Sequence, residues 1–233
     1  GPEAAVAVVH RPLRGLEAVT ILLRGALAHS DDSFPNEVEV LEPGDAVWVT
    51  AGSGVFVSER PLVPSDERAP DAAGLRLWIN LPRAQKFSLP RFQEVPRETV
   101  EEIDLPVAQG AARVQVFAGH VNNATGPAAS LGAYVTLALV DLGPNSAARF
   151  PVPSQAAGIV YVVDGDVHVG GAAPAHYVRE GPQNVGSSRS NSDADRHRAD
   201  GRTEASVRGT AGARGTVFLL EWPQLRFDAG TVD

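Results

Sequence analysis

EPGDAVWVTAGSGVFVSERP, residues 42–61, is the stretch whose reading decides the fold. Gly44-Asp45 signals a turn, and AVWVT (46–50) is a short run of β-branched and aromatic side chains. Gly52 and Gly54 then shape a second tight turn, and a strand pattern resumes with Val55 and Val57 before the carboxylate of Glu59. Turn, strand, turn, strand is an all-β signature. In a β-barrel a side chain placed just past such a turn can point inward, where a metal would sit. Glu59 is therefore a candidate ligand, and a ligand needs companions.

The same grammar runs outward in both directions. EAVTILL (17–23), LRLWINL (75–81), ARVQVFAG (112–119), AYVTLALVDL (133–142), GIVYVVDGDVHVG (158–170) and GTVFLLEW (215–222) read as strands, most of them bounded by Gly, Pro, Asn or Asp. Helical periodicity is weak throughout. Strands at short spacing imply a sandwich or barrel architecture. Two turn-and-strand units resemble each other: LLRGALAHS joins strands through Arg24-Gly25, and VVDGDVHVG does so through Asp164-Gly165, which reads as a hairpin turn. This weak repeat predicts two copies of one β-barrel, an all-β tandem, with domains at 1–100 and 101–233. The boundary falls within LPRFQEVPRETVEEIDLPVAQG (89–110 of that region), where prolines and charges replace the strand pattern and Glu101-Glu102 reads as solvated surface on a linker. Residues 180–214, rich in Ser, Arg, Asp, Gly and Asn, read as a flexible insertion, with a segment that orders on a partner as the sharper alternative.

Composition narrows the function classes. The 233 residues carry a formal net charge of −8, which argues against a direct nucleic-acid or anionic-membrane surface. With no cysteine, thiolate metal sites, disulfides and Cys nucleophiles are excluded. No apolar run reaches the roughly 20 residues of a membrane span, so the expectation is a soluble, intracellular protein. The chain lacks methionine, and its leading Gly-Pro reads as the remnant of tag cleavage or as a trimmed form.

RPLRGLEAVTILLRGALAHSD, EPGDAVWVTAGSGVFVSERP, GLRLWINLP and KFSLPRFQEV together cover most of residues 11–95. Their order and spacing resemble the pirin family, two-domain members of the cupin superfamily; the second half resembles it less, mainly through FPVPSQAAGIVYVVDGDVHVG. The resemblance implies two cupin-type β-barrels (a bicupin), with the ancestral iron site in the first. It also implies that iron is bound by three histidines and a glutamate, from His-Pro-His-Arg-Gly and Gly-x-Gly-x-x-His-x-Glu. Here the first pattern reads RPLRG, placing Arg11 and Leu13 at the histidine positions. The second reads GSGVFVSE, with Val57 for the third histidine, so that only Glu59 is kept.

Leu and Val have no donor atom and Arg stays protonated, so no bound metal is expected at this degenerate site. One expectation is that Arg11 and Glu59 face each other, a guanidinium taking the metal's charge. His10 lies one residue out of register, where strand alternation aims it at the opposite face. His29, His120, His168, His176 and His197 show no ligand spacing and read as surface or hydrogen-bonded residues. Trp48 and Trp78 match core or pocket-wall positions, core being the favoured reading.

Three functions follow. The first is a pirin-like protein without iron, acting as a non-catalytic binding module or a structural subunit of a larger assembly, with a protein partner and room for a small-molecule ligand. The second is an enzyme: a quercetin 2,3-dioxygenase-type oxidoreductase, or a metal-free pocket in which Glu59 is the base beside Leu13 and Val57. The third is a transcriptional co-regulator. Relative to the family pattern the chain begins close to the first motif and ends soon after VFLLEWPQLRFDAGTVD, so segments supplied by a partner subunit, or trimmed away, are also expected.

Overall fold

The structure, a computed structural model, describes residues 9–32, 38–62, 72–107, 110–132, 134–144, 146–153, 156–165, 167–171, 176–179, 202–209 and 215–223. The chain divides into two units: Gly1–Val100 with Pro127–Ala133, and Glu101–Gly126 with Tyr134–Asp233. The division falls after Val100, and one short segment of the later sequence, Pro127–Ala133, belongs with the first unit. Among the described residues there is no α-helix, only two short 3-10 turns at Arg83–Gln85 and Arg97–Thr99.

The described residues of the first unit form eight strands: β1 (Val9–Leu13), β2 (Leu16–Arg24), β3 (Leu27–Asp31), β4 (Glu39–Leu41), β5 (Ala46–Thr50), β6 (Val55–Pro61), β7 (Ala73–Asn80) and β8 (Arg91–Val95). They form two antiparallel sheets, ordered β1-β6-β3-β4 and β7-β2-β5-β8. Leu13, Val55 and Val57 of one sheet and Ala18, Leu22 and Val49 of the other meet in one apolar core. Removing such a side chain from water contributes about 1.5–3 kcal/mol each. β5 is buried at all five positions, which is why AVWVT reads as a continuous apolar run instead of an alternation. Trp48 lies on its outer face and is buried, as are Val19 and Glu17 on the neighbouring β2. Gly52 holds the β5–β6 turn at φ +50, and a Cβ there would lie 2.1 Å from the carbonyl oxygen of Ser88. Only glycine fits that approach.

The all-β, cupin-type fold expected from the sequence is present, its strands arranged among the described residues as two facing sheets that are not joined into one closed barrel. β4 and β8 share a cleft, which leaves the edges β1 and β7 at the opposite seam.

In the second unit the strands are β9 (Glu101–Asp104), β10 (Ala112–Ala118), β11 (His120–Val121), β12 (Ala124–Thr125), β13 (Thr136–Leu142), β14 (Ala147–Pro153), β15 (Ala156–Gly165), β16 (Val167–Gly171), β17 (His176–Arg179), β18 (Arg202–Gly209) and β19 (Gly215–Pro223). Six of them pair as β17-β15-β19-β13-β10-β9, three as β14-β18-β16, and β11 pairs with β12. Val114, Val116, Ala138, Val140 and Leu142 form its core.

The repeat detected around Gly25 and Gly165 has a structural counterpart, though not a hairpin. β2 and β3 lie in different sheets, as do β15 and β16. Both glycines have positive φ, +75 and +76, and both preceding strands carry a register shift just before the turn, at Leu22/Arg24 and Val162/Asp164. The bulge and the glycine turn the chain from one sheet into the other. Two further expectations are corrected. Arg202–Gly209, assigned to a flexible insertion, is strand β18, paired with both β14 and β16; averaging composition over 180–214 hid the β-branched Thr203 and Val207. The rest of that insertion, 180–201 and 210–214, lies outside the described residues, as does His197. The presumed linker carries β8 and β9. Glu101 and Glu102 are exposed, as expected, but on an edge strand, where they accept from Thr125 N and from Arg113 and Gln115.

Candidate functional site

Within the largely apolar inward face of the first unit, one polar group is built around Glu59. β6 alternates Val55, Val57 and Glu59 on that face; the two valines are buried and Glu59 is 16% exposed. On β3, His29 lies directly across from Glu59. Its ring Nδ1 stands 3.4 Å from Glu59 Oε1, a length at which attraction is mainly electrostatic. From the facing sheet, Thr20 of β2 donates to Glu59 Oε1 at 2.9 Å. Arg76 of β7, paired with Thr20, donates through Nη1 to Glu59 Oε2.

Burial pushes the Glu59 carboxyl upward, while His29, Arg76 and Thr20 pull it down. The balance lies below its ordinary 4.5, so Glu59 is a carboxylate at neutral pH. Burial lowers the proton affinity of Arg76, the Glu59 charge restores part of it, and nearby Arg11 lowers it further. A guanidinium nonetheless stays charged. His29 is buried, stacks on Phe92 at 5.3 Å, and among the described residues has hydrogen-bond partners at neither ring nitrogen.

The four sequence-derived positions separate into two kinds. Leu13 and Val57 are buried in the apolar core, and Glu59 joins the polar group. Arg11 is exposed and forms no ion pair among the described residues, so the expected Arg11–Glu59 contact is corrected. The reason is register: β1 pairs with β6 so that Arg11 opposes Val57 and Val9 opposes Glu59, while β7 of the other sheet brings Arg76 to the carboxylate. His10 is on the opposite face, exposed, stacked on Phe56 and bonded to Ser58. Trp78 is 60% exposed, which corrects its core assignment; among the described residues β7 is an edge strand with no neighbour beyond it to bury that ring.

Sequence reasoning missed Arg76 and Thr20, and its reading of His29 as a surface or hydrogen-bonded residue is corrected to a buried ring beside Glu59, because no fixed spacing along the chain links residues on different strands. The recoverable signal was alternation, which puts His29 on the same face of β3 as Leu27. It also missed Glu17, wholly buried on the outer face of β2. Glu17 accepts from Thr50 Oγ1 at 2.7 Å, from Leu131 N at 3.0 Å and from Ser130 Oγ, fastening Pro127–Ala133 to the first unit.

A cleft of about 420 Å³ between β4 and β8 is lined by Glu39, Glu42, Asp45, Glu94 and Glu98, with Arg97 among them. Asp45 is committed to the local fold, accepting from Glu42 N at 2.8 Å and Arg97 N at 2.9 Å. Among the described residues no three His, Asp or Glu side chains gather closely enough to hold a metal ion, and no helix is long and apolar enough to cross a membrane.

Residues 3–79 match the pirin family model. Pirin of Mus musculus is 35% identical over 162 residues, covering 68% of this chain and 51% of its own length. The chain thus spans about half the length of the relative it matches. A solved quercetin 2,3-dioxygenase from Acinetobacter baumannii superposes with a TM-score of 0.69 at 21% identity, covering 95% of this chain and 70% of that one. The bacterial pirin YhhW of Escherichia coli, solved in complex with nickel(II), superposes with a TM-score of 0.59 at 15% identity over 96% of this chain and 79% of that one. The chain is a member of the pirin family, its family signature lying in residues 3–79.

Proposed function

We propose that this chain is a pirin-family binding module whose first unit holds an internal Glu59–Arg76 ion pair where the family pattern implies an iron site, and that it acts without catalysing a reaction. The observation that carries the reading is the bond from Arg76 Nη1 to Glu59 Oε2. A carboxylate spent on a fixed guanidinium is a poor ligand, because a metal would have to displace a cation that cannot be deprotonated. The donor set points the same way. Leu13 and Val57 offer nothing to coordinate, and the remaining donors beside Glu59 are the His29 ring and a hydroxyl. These residues do not fit a mononuclear iron site.

Metal analysis of protein produced in iron-replete, anaerobic conditions tests this. The expected content of iron and nickel is far below one per chain, and a stoichiometric metal overturns the reading. Oxygen-dependent turnover of flavonols would overturn the non-catalytic part.

The buried His29 ring favours a second reading, metal-free acid–base chemistry at Glu59. A histidine beside a carboxylate can hold and pass a proton without a metal. Screening small metabolites for turnover distinguishes it: activity abolished by Glu59→Gln, with the fold intact, would establish chemistry here.

A further inference from the structure

The seam between the edge strands β1 and β7 concentrates groups that the Glu59–Arg76 pair leaves unused. Arg11 is on the inward face of β1, two residues from the buried Leu13, and is exposed without an ion pair among the described residues. Its charge reaches Arg76, whose proton affinity it lowers. Arg76 gives Nη1 to Glu59, but its Nε is buried with no hydrogen-bond partner among the described residues. One inward position further along β7, Trp78 lies 60% exposed. Asp31, across Val57 from Arg11, is buried and takes part in interactions of its own. Glu59 and Arg76 are 16% and 17% exposed, so the pair is not sealed from solvent.

Two guanidiniums, one free and one half-used, beside an open aromatic face fit one ligand chemistry. We propose that the β1/β7 seam binds a small planar organic carboxylate, its charge held by Arg11 and Arg76 and its apolar body laid on Trp78. Guanidinium presents a planar fork of donors matched to a carboxylate, which the compact charge of lysine does not. Arg76 gives Nη1 to Glu59, so an arriving carboxylate meets a guanidinium with further donors to offer. The aromatic ring supplies flat apolar area at low conformational cost. The proposal rests on reading this unit as a binding module without metal and names the class of ligand it takes.

The probe is benzoate, titrated into the full chain by calorimetry and by tryptophan fluorescence, with neutral benzamide as the isostere and acetate as the anion lacking a ring. Benzoate is expected to bind, with benzamide and acetate each about tenfold weaker or more. Arg11→Gln and Trp78→Ala alter exposed side chains and so retain the fold, checked by thermal melting; each is expected to weaken benzoate about tenfold. Equal binding of benzoate and benzamide, undiminished binding by Arg11→Gln, or no response to benzoate overturns the site. Metal content measured on the same sample separates the two readings. Bound iron with benzoate binding intact overturns only the reading without metal, and a metal-free chain indifferent to benzoate overturns only the carboxylate site.

Discussion

Arg76→Met removes the guanidinium from Glu59 while keeping an unbranched apolar stem in the same space. The cost follows from what each partner loses. A hydrogen bond to a charged group contributes about 1.5–3 kcal/mol. Breaking a fully buried ion pair costs about 3–5 kcal/mol, and an exposed one at most about 1 kcal/mol. With Arg76 and Glu59 17% and 16% exposed, the pair lies between these limits, nearer the buried one. Thr20 and His29 stay beside the stranded carboxylate and limit the damage. The expected loss is about 2 kcal/mol at pH 7.5, read by urea unfolding followed through tryptophan fluorescence.

Acidification supplies the internal control. The folded Glu59 carboxyl has a pKa below its ordinary 4.5. Its stabilising contribution is therefore complete above that value and is lost as pH falls through the lower folded pKa. In Arg76→Met the burial that raises the pKa remains and the cation that lowers it is gone, so the difference between variant and parent shrinks as Glu59 becomes neutral. Glu59→Gln alone should cost a similar amount, and the double variant less than the sum by about 1 kcal/mol. A loss below about 0.5 kcal/mol at pH 7.5, within the range of an ordinary surface substitution, would refute the reasoning. So would additivity of the two changes, or a difference independent of pH.

Three other perturbations test separate parts of the structure. Gly52→Ala places a Cβ 2.1 Å from the Ser88 carbonyl oxygen at φ +50, and should cost about 3 kcal/mol in the same unfolding assay, from strain and steric overlap together. Glu17→Ala removes the acceptor of the Leu131 amide and the Thr50 hydroxyl and one partner of Ser130 Oγ; a loss of about 3 kcal/mol and faster hydrogen exchange at Leu131 N–H are expected. Installing histidine at Arg11, Leu13 and Val57 together should leave nickel binding weak by calorimetry until Arg76→Met is added, which should strengthen it about tenfold or more.

The sequence made the strands legible and hid the pairings. AVWVT coincides with β5 because burial on both faces selects β-branched and aromatic residues at every position, a local signal. The Gly25 and Gly165 turns were visible for a related reason, since a positive φ restricts residue choice where it occurs. Their partners were not visible: whether a turn closes a hairpin or carries the chain into the other sheet depends on strands far away in sequence. Residues 202–209 show the converse error, a genuine strand diluted by the composition of its surroundings.

The site divides along the same line. Leu13, Val57 and Glu59 could be placed by motif because each occupies a fixed offset from a glycine turn on one strand. The cation facing Glu59 could not. Arg11 was the natural candidate only while the search stayed within the motif, and β1–β6 register sets it against Val57 instead. Arg76 arrives from the other sheet, at a position no motif specifies, through the pairing of β7 with β2. That origin has a chemical consequence. A cation supplied from the motif strand would be removed by restoring the motif, whereas one supplied by the opposite sheet persists and goes on neutralising the carboxylate. Histidines placed at Arg11, Leu13 and Val57 would therefore not free Glu59, and the charge balance around that carboxylate rests on Arg76 more than on those three positions.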